Sequence, residues 1–171
     1  ADPKLLSNSP CGAMTHFAQG WDIDLLPLLA KAGIASVRDE HYWEHLERTK
    51  GVFEFPAVSD QYMSEVKRLG MDVMYAATFG NPHYTGTWDG APATPEACEA
   101  YANYVLQVLD RYPELKTAEI WNEYNGSWCA GEASTDRPRY YAEMMKVVYP
   151  RIKAAHPDVQ VGGCATVLLS A

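Results

Sequence analysis

The sequence predicts an α/β fold in which a parallel sheet is built from successive β/α units. Three observations lead to it. Strand-like and helix-like segments alternate along the chain. The strand-like segments are short and apolar on both faces, as strands covered on both sides must be. The helix-like segments are punctuated by capping residues or proline at the start and often by glycine at the end.

The elements follow in order. Gly12-Ala13-Met14-Thr15-His16-Phe17 reads as the first strand. Residues 22–32 read as a helix capped by Asp22 and closed by Gly33, with Pro27 shifting its start. Ile34 to Arg38 is the second strand, and 58–69 a helix ended by Gly70. Asp72 to Thr78 is the third strand, followed by a Gly/Pro/Trp-rich stretch from Phe79 to Pro95. Residues 95–111 form a helix with Thr94 as cap and Pro95 at its first position. Thr117 to Asn122 is the fourth strand. Residues 137–155 form a helix opened by Asp136, and Val159 to Ala165 is the fifth strand. The longest connections follow strands two, three and four. A TIM-type (β/α)8 barrel needs eight such units and typically ~250 residues, and builds its active face from these loops. The chain is therefore expected to supply β1 to β5 of a barrel, as the N-terminal part of a single domain over 1–171. Open edges at strands one and five are a liability, so a C-terminal remainder or a second chain is expected to complete the wall.

Bulk composition narrows the function. The chain has 171 residues, 47% of them hydrophobic, enough for a sizeable core. A net charge of −8 argues against a nucleic-acid partner, which needs a basic face. No apolar stretch reaches membrane-spanning length. The four cysteines, Cys11, Cys98, Cys129 and Cys164, fit no zinc pattern. Cys98 opens a helix and Cys129 follows strand four at the same end of the sheet, so a bridge between them is feasible. Cys11 and Cys164 are expected as buried thiols. An extracellular or periplasmic location fits this cysteine usage. His41-Tyr42-Trp43-Glu44-His45 matches the H-x-x-E-H pattern of inverted zinc peptidases. It follows a strand and leads into Lys50-Gly51, so the preferred reading is a short helical turn, with Trp43 packed or lining the cleft. No metal or organic cofactor is expected.

The run Thr117-Ala118-Glu119-Ile120-Trp121-Asn122-Glu123-Tyr124-Asn125 carries the chemistry. It is a buried strand ending in an amide, a carboxylate and a loop. A carboxylate set against apolar walls has its charged form disfavoured. A carboxylic acid kept protonated near neutrality can give its proton to a leaving group. Cleavage of a glycosidic bond needs such an acid and a second carboxylate across the scissile bond. Glu119 lies inside the strand and must be paired, with Arg38 or a histidine as the expected partner. Trp88 and Trp128, in the loops after strands three and four, either present aromatic platforms to a sugar or fold beneath the loops. Trp121 is expected in the core between sheet and helices.

Gly12-Ala13-Met14-Thr15-His16-Phe17, Ala32-Gly33-Ile34-Ala35-Ser36-Val37-Arg38-Asp39 with Trp43, Lys50-Gly51-Val52-Phe53-Glu54-Phe55 and Glu119-Ile120-Trp121-Asn122-Glu123 together resemble clan A glycoside hydrolases. They are most similar to the branch holding β-xylosidases, α-iduronidases and bacterial exopolysaccharide hydrolases. The resemblance implies retaining cleavage of O-glycosidic bonds in a poly- or oligosaccharide. It implies Glu123 as general acid/base, Asn122 on the sugar 2-hydroxyl, and Arg38 beside the nucleophile. His16 and His83 would line the sugar site, although each also fits a structural histidine. Trp43, Tyr84, Trp88 and Trp128 are further substrate-binding candidates; Asp39 and Glu40 are expected mainly as loop carboxylates. The clan's nucleophile is a Glu on strand seven, beyond the five strands read here. Tyr124 stands where the clan often has Pro. Asn125-Gly126-Ser127 is a glycosylation sequon so close to Glu123 that it should go unused. The competing class is a glycan-binding or structural barrel fragment without turnover.

Overall fold

The computed structural model describes residues 9–163 and 165–167. Five strands form one parallel sheet in the order β1-β2-β3-β4-β5. They are β1 (Gly12–Met14), β2 (Ser36–Tyr42), β3 (Asp72–Thr78), β4 (Thr117–Ile120) and β5 (Gln160–Gly163). Six α-helical segments lie between them: α1 (Leu26–Lys31), α2 (Trp43–Leu46), α3 (Ala57–Leu69), α4 (Pro82–Thr85), α5 (Pro95–Arg111) and α6 (Arg137–Ala155). Sequential strands pair with their neighbours throughout, as consecutive β/α units require. Met14, Arg38, Met74, Thr117 and Gln160 share one line across the sheet.

The helix ends follow local chemistry. The Thr94 hydroxyl accepts from the Ala97 N–H and opens α5 with Pro95 at its first position. Asp136 accepts from the Arg139 N–H and opens α6. Gly70 closes α3 with φ of 70°, a left-handed conformation that glycine adopts without cost. Residues 22–32 split into a 3-10 turn at Ile23–Leu25 and the short α1, because Pro27 fits only the first turn of a helix.

Side-chain alternation divides the sheet into two faces. Val37, Val73, Tyr75, Ala118 and Ile120 point outward and are buried under the helices. Tyr62, Met63 and Val66 of α3, Tyr101, Tyr104 and Val108 of α5, and Met144, Val148 and Ile152 of α6 cover them. The Tyr101 hydroxyl donates to the Ala77 carbonyl at 2.6 Å, and the Tyr104 hydroxyl bonds the backbone of His41 and Thr78. These bonds pin α5 to the carboxyl ends of β2 and β3. On the opposite face Met14 and Met74 are exposed at 43% and 41%, so around these two residues the inner surface is left open by the described residues, while Glu40 and Ala76 further along it are buried.

Several expectations need correction. β1 stops at Met14, because Thr15 turns its hydroxyl to Asp39 and the chain enters a 3-10 turn at Phe17–Gln19. β2 runs on to Tyr42, four residues beyond Arg38. β4 ends at Ile120, since Trp121 takes a φ of 69° and leaves the strand. Cys98 and Cys129 are free buried thiols rather than a disulfide. Cys98 packs on the core side of α5, while Cys129 engages Tyr124 and Arg137. Cys11 is exposed, being at the open start of β1. The expectation for Cys164 falls outside the described residues.

Candidate active site

The carboxyl ends of β1 to β4 and the loops that follow them enclose a cavity of about 540 Å³. Met14, His16, Arg38, Glu40, Tyr42, Phe79, Trp88, Asn122, Glu123 and Trp128 line it, with Glu44 and His45. Of the residues anticipated from sequence, Glu123, Asn122, Arg38, His16, Trp88 and Trp128 thus meet in one place.

Arg38 organises the floor. Its Nε donates to Glu119 Oε2 at 2.5 Å, and its Nη2 donates to Asn122 Oδ1 at 2.9 Å. The half-buried strand carboxylate therefore finds the partner expected for it, and the same guanidinium orients the amide beside Glu123. A planar fork reaches both acceptors at once with fixed geometry, which the compact ammonium of a lysine does not supply. Glu123 itself stands at φ of 52°, three residues past the end of β4, and its carbonyl accepts from the Gly126 N–H at 2.8 Å. This tight turn projects Asn122 and Glu123 into the cavity. Trp121 is fully buried, as expected, and its Nε1 donates to the Trp128 carbonyl at 3.1 Å.

The two rim tryptophans are both packed and available. Trp128 stacks on Phe79 at 5.6 Å between ring centroids, and Trp88 meets Phe79 edge-on at 5.8 Å. Trp88 and Trp128 nonetheless remain 41% and 38% exposed. Their loops are tied together where Gly90 bridges Ala130 and the Ala130 N–H donates to the Asp89 carbonyl at 2.9 Å. Gly80 permits the closure: a Cβ there would lie 2.1 Å from the Gly90 carbonyl oxygen.

Three anticipated residues lie elsewhere. Trp43 is fully buried, stacked between Tyr84 and Tyr104, and its Nε1 donates to Glu47 at 2.6 Å. The first turn of α2 carries it outward, away from the cavity. Tyr84 donates its hydroxyl to the same Glu47 carboxylate at 2.6 Å, and the Gly51 N–H does so at 2.6 Å. His83 is exposed and pairs its Nε2 with the Arg48 carbonyl at 3.0 Å. These residues lock the loop after β2 onto the loop after β3, and do not line the cavity.

Glu40, Tyr42, Glu44, His45, Phe79 and Met14 are the lining residues that sequence reasoning undervalued or missed. A signal for two of them existed: if Arg38 faces inward, period-two alternation sends residues 40 and 42 to the same face. Glu40 is 3% exposed; burial raises its carboxyl above the ordinary value while Arg38 opposes the rise. Asp39 points the other way and is structural. Its carboxyl accepts from the Thr15 hydroxyl, the Phe17 and Glu40 N–H groups and the Gln19 amide. Burial raises its pKa, and those hydrogen bonds oppose the rise. His16 joins the group through Gln19, its Nδ1 lying 2.8 Å from the Gln19 amide oxygen.

The H-x-x-E-H run does not form a metal face. His41 is buried in the outer core against Tyr75 and Tyr112, whereas His45 lines the cavity on the other side. The side-chain amide of Asn125 pairs with the Val167 backbone at 2.9 and 3.2 Å, which occupies the sequon's acceptor.

Comparison with known structures fixes the architecture. A family 39 glycoside hydrolase from the gut symbiont Bacteroides cellulosilyticus superposes with a TM-score of 0.74 at 24% identity, over 90% of this chain and 31% of its own. The beta-glycosidase BGL167 gives 0.65 at 20% identity, over 84% of this chain and 44% of its own. A beta-glucosidase from Thermotoga maritima gives 0.65 at 12%, over 82% and 36%. No family model matches the sequence, and no curated protein does. The chain spans 31% to 44% of the length of these three structures. The fold is that of the N-terminal part of a TIM-type barrel.

Proposed function

We propose that this chain is the acid/base portion of a retaining O-glycosidase barrel. The observation that carries the reading is the pair Asn122–Glu123 just beyond β4, its amide held by Arg38, in a cleft rimmed by exposed tryptophans. In this reading Glu123 protonates the leaving oxygen and then activates water against the glycosyl-enzyme. Asn122 binds the sugar hydroxyl next to the reacting carbon. The nucleophile, a Glu from a later strand in the remainder of the barrel, sits roughly 5–5.5 Å from Glu123, as retention requires. Trp88 and Trp128 offer aromatic faces to sugar rings. The substrate is a poly- or oligosaccharide, within the range of the β-xylosidase, α-iduronidase and exopolysaccharide hydrolase branch. The structures that superpose on the chain are glycosidases, which supports the reading.

The test is Glu123→Gln in the complete barrel. With a poorly activated glycoside, kcat should fall by roughly 10² to 10⁴-fold, the usual worth of a positioned acid. With an activated aryl glycoside the first step needs little acid help, so a burst followed by slow turnover is expected. Unchanged turnover of both substrates would remove Glu123 from the mechanism. Sugar binding by the wild-type protein with no turnover would favour a glycan-binding barrel instead.

A further inference from the structure

Among the described residues, the carboxylates that line the cleft outnumber its arginines and lysines. Glu40, Glu44 and Glu123 all line it, and Arg38 is the sole Lys or Arg among its described lining residues. Arg38 is already committed to Glu119 through Nε and to Asn122 through Nη2. Glu40 receives only the remaining Nη1, at 3.4 Å, and that nitrogen also contacts the Met14 sulfur at 3.0 Å. A contact of 3.4 Å lies beyond the usual range of a strong charge-assisted bond. Glu119 thus holds the shorter arginine contact, and Glu40 keeps the longer one, with the positive field of His16 beside it. The Glu40 side chain is only 4% exposed, so water and salt screen it poorly from the cleft. The Tyr42 hydroxyl bonds the same carboxylate, but an ionised carboxylate has about four acceptor positions, so capacity remains.

We propose that Glu40 selects the sugar by charge, so that the cleft takes neutral or free-amine sugar units and turns away uronates. This rests on the glycosidase reading and narrows it, against a uronide-cleaving member of the branch. The chemistry is simple. Glu40 can accept from a sugar hydroxyl or ammonium. As a carboxylate it cannot donate to a uronate carboxylate and repels it, and among the described residues no uncommitted arginine or lysine lines the cleft to offset that repulsion.

The experiment is a calorimetric binding series on the complete protein at pH 7. The probes are the gluco-, galacto- and manno-configured sugars, each as the neutral hexose, the 2-amino-2-deoxy sugar and the uronate. In at least one configuration the hexose or amino sugar should bind ten times more tightly than the uronate or better. Glu40→Gln, close in shape and uncharged, should shrink that ratio at least fivefold; Glu44→Gln, at the more open rim, should change it less. The wild-type ranking reads the proposal whether or not the variant folds. Uronates that bind as well as the neutral sugars in every configuration would overturn it. So would a Glu40→Gln ratio equal to wild type, which would mean that Glu40 is already uncharged. Aryl-glycoside turnover that depends on Glu123, with no ranking by charge, sinks this proposal alone. Absence of both binding and turnover sinks the glycosidase reading with it.

Discussion

Replacing His41 by Phe should make the protein more resistant to acid. His41 lies on the outer face of β2 with its ring against Tyr75 and Tyr112, at centroid distances of 5.8 and 5.6 Å. Neither ring nitrogen has a hydrogen-bond partner among the described residues. Burial lowers the imidazole pKa from 6.5 to about 4, with Asp60 opposing. Asp60 is already held by Arg111 and Tyr112. Because the folded pKa lies below the unfolded one, the unfolded chain binds a proton first as pH falls. The stability contributed by a neutral His41 is whole above pH ~6.5 and is lost as pH falls toward the folded pKa. At ~1.4 kcal/mol per pH unit the full loss is about 3 kcal/mol. About 2 kcal/mol of it falls between pH 7 and pH 5. Phe cannot take that proton and suits an apolar site where the nitrogens bond nothing. Urea unfolding at several pH values, followed by tryptophan fluorescence, reads the difference between variant and wild type. That difference should move in favour of the variant by about 2 kcal/mol from pH 7 to pH 5. A constant difference across that range would show that His41 is solvated or paired, and would refute the reasoning.

Other perturbations separate structural from chemical roles. Glu47→Ala removes the acceptor shared by Trp43, Gly51 and Tyr84, and should cost about 3 kcal/mol, read as a melting-temperature drop of roughly 6–12 °C. Arg38→Lys keeps the charge but loses the fork that spans Glu119 and Asn122, so on the proposed function kcat/KM of the complete barrel should fall by about tenfold or more; an unchanged value would remove Arg38 from the positioning of Asn122. Trp128→Ala should weaken sugar binding about 3- to 10-fold in a titration, by removing a stacked face. Alkylation without reductant should label Cys11 in the native protein and Cys98 and Cys129 only after denaturation, since burial pushes the Cys98 thiol up to about 11. Failure to label Cys98 and Cys129 after denaturation would point to a bridge between them.

The strand order and the long helices were legible in the sequence because their signals are local. Pro95 to Arg111 and Arg137 to Ala155 carry both a cap and a proline at the start, and the structure places their ends where those residues put them. The placement of Asn122 and Glu123 in the cavity was legible because an amide and a carboxylate closing an apolar strand have few structural uses. Trp43 and Tyr84 misled, because nearness to a strand end does not say on which side of the turn a ring falls. Their fate was decided by Glu47, a carboxylate with no sequence signature. Glu40 was read as a loop residue because β2 was expected to stop at Arg38; the strand's extension to Tyr42 is set by pairing with β3 through Thr78, a partner far along the chain. The exposure of Cys11 likewise depends on what lies beside β1, which a linear reading does not show.

The left-handed backbone at Glu123 sets fold against the proposed activity. A side chain other than Gly, Asn or Asp at φ of 52° is held there at a cost of about 1 kcal/mol or more. Gly or Asn at this position would relieve that strain and yield a hardier protein without the carboxyl proposed as its proton donor. Selection for thermal tolerance alone would therefore drift toward inert descendants at this one position. Persistence of Glu123 in such an experiment would require a separate demand for catalysis.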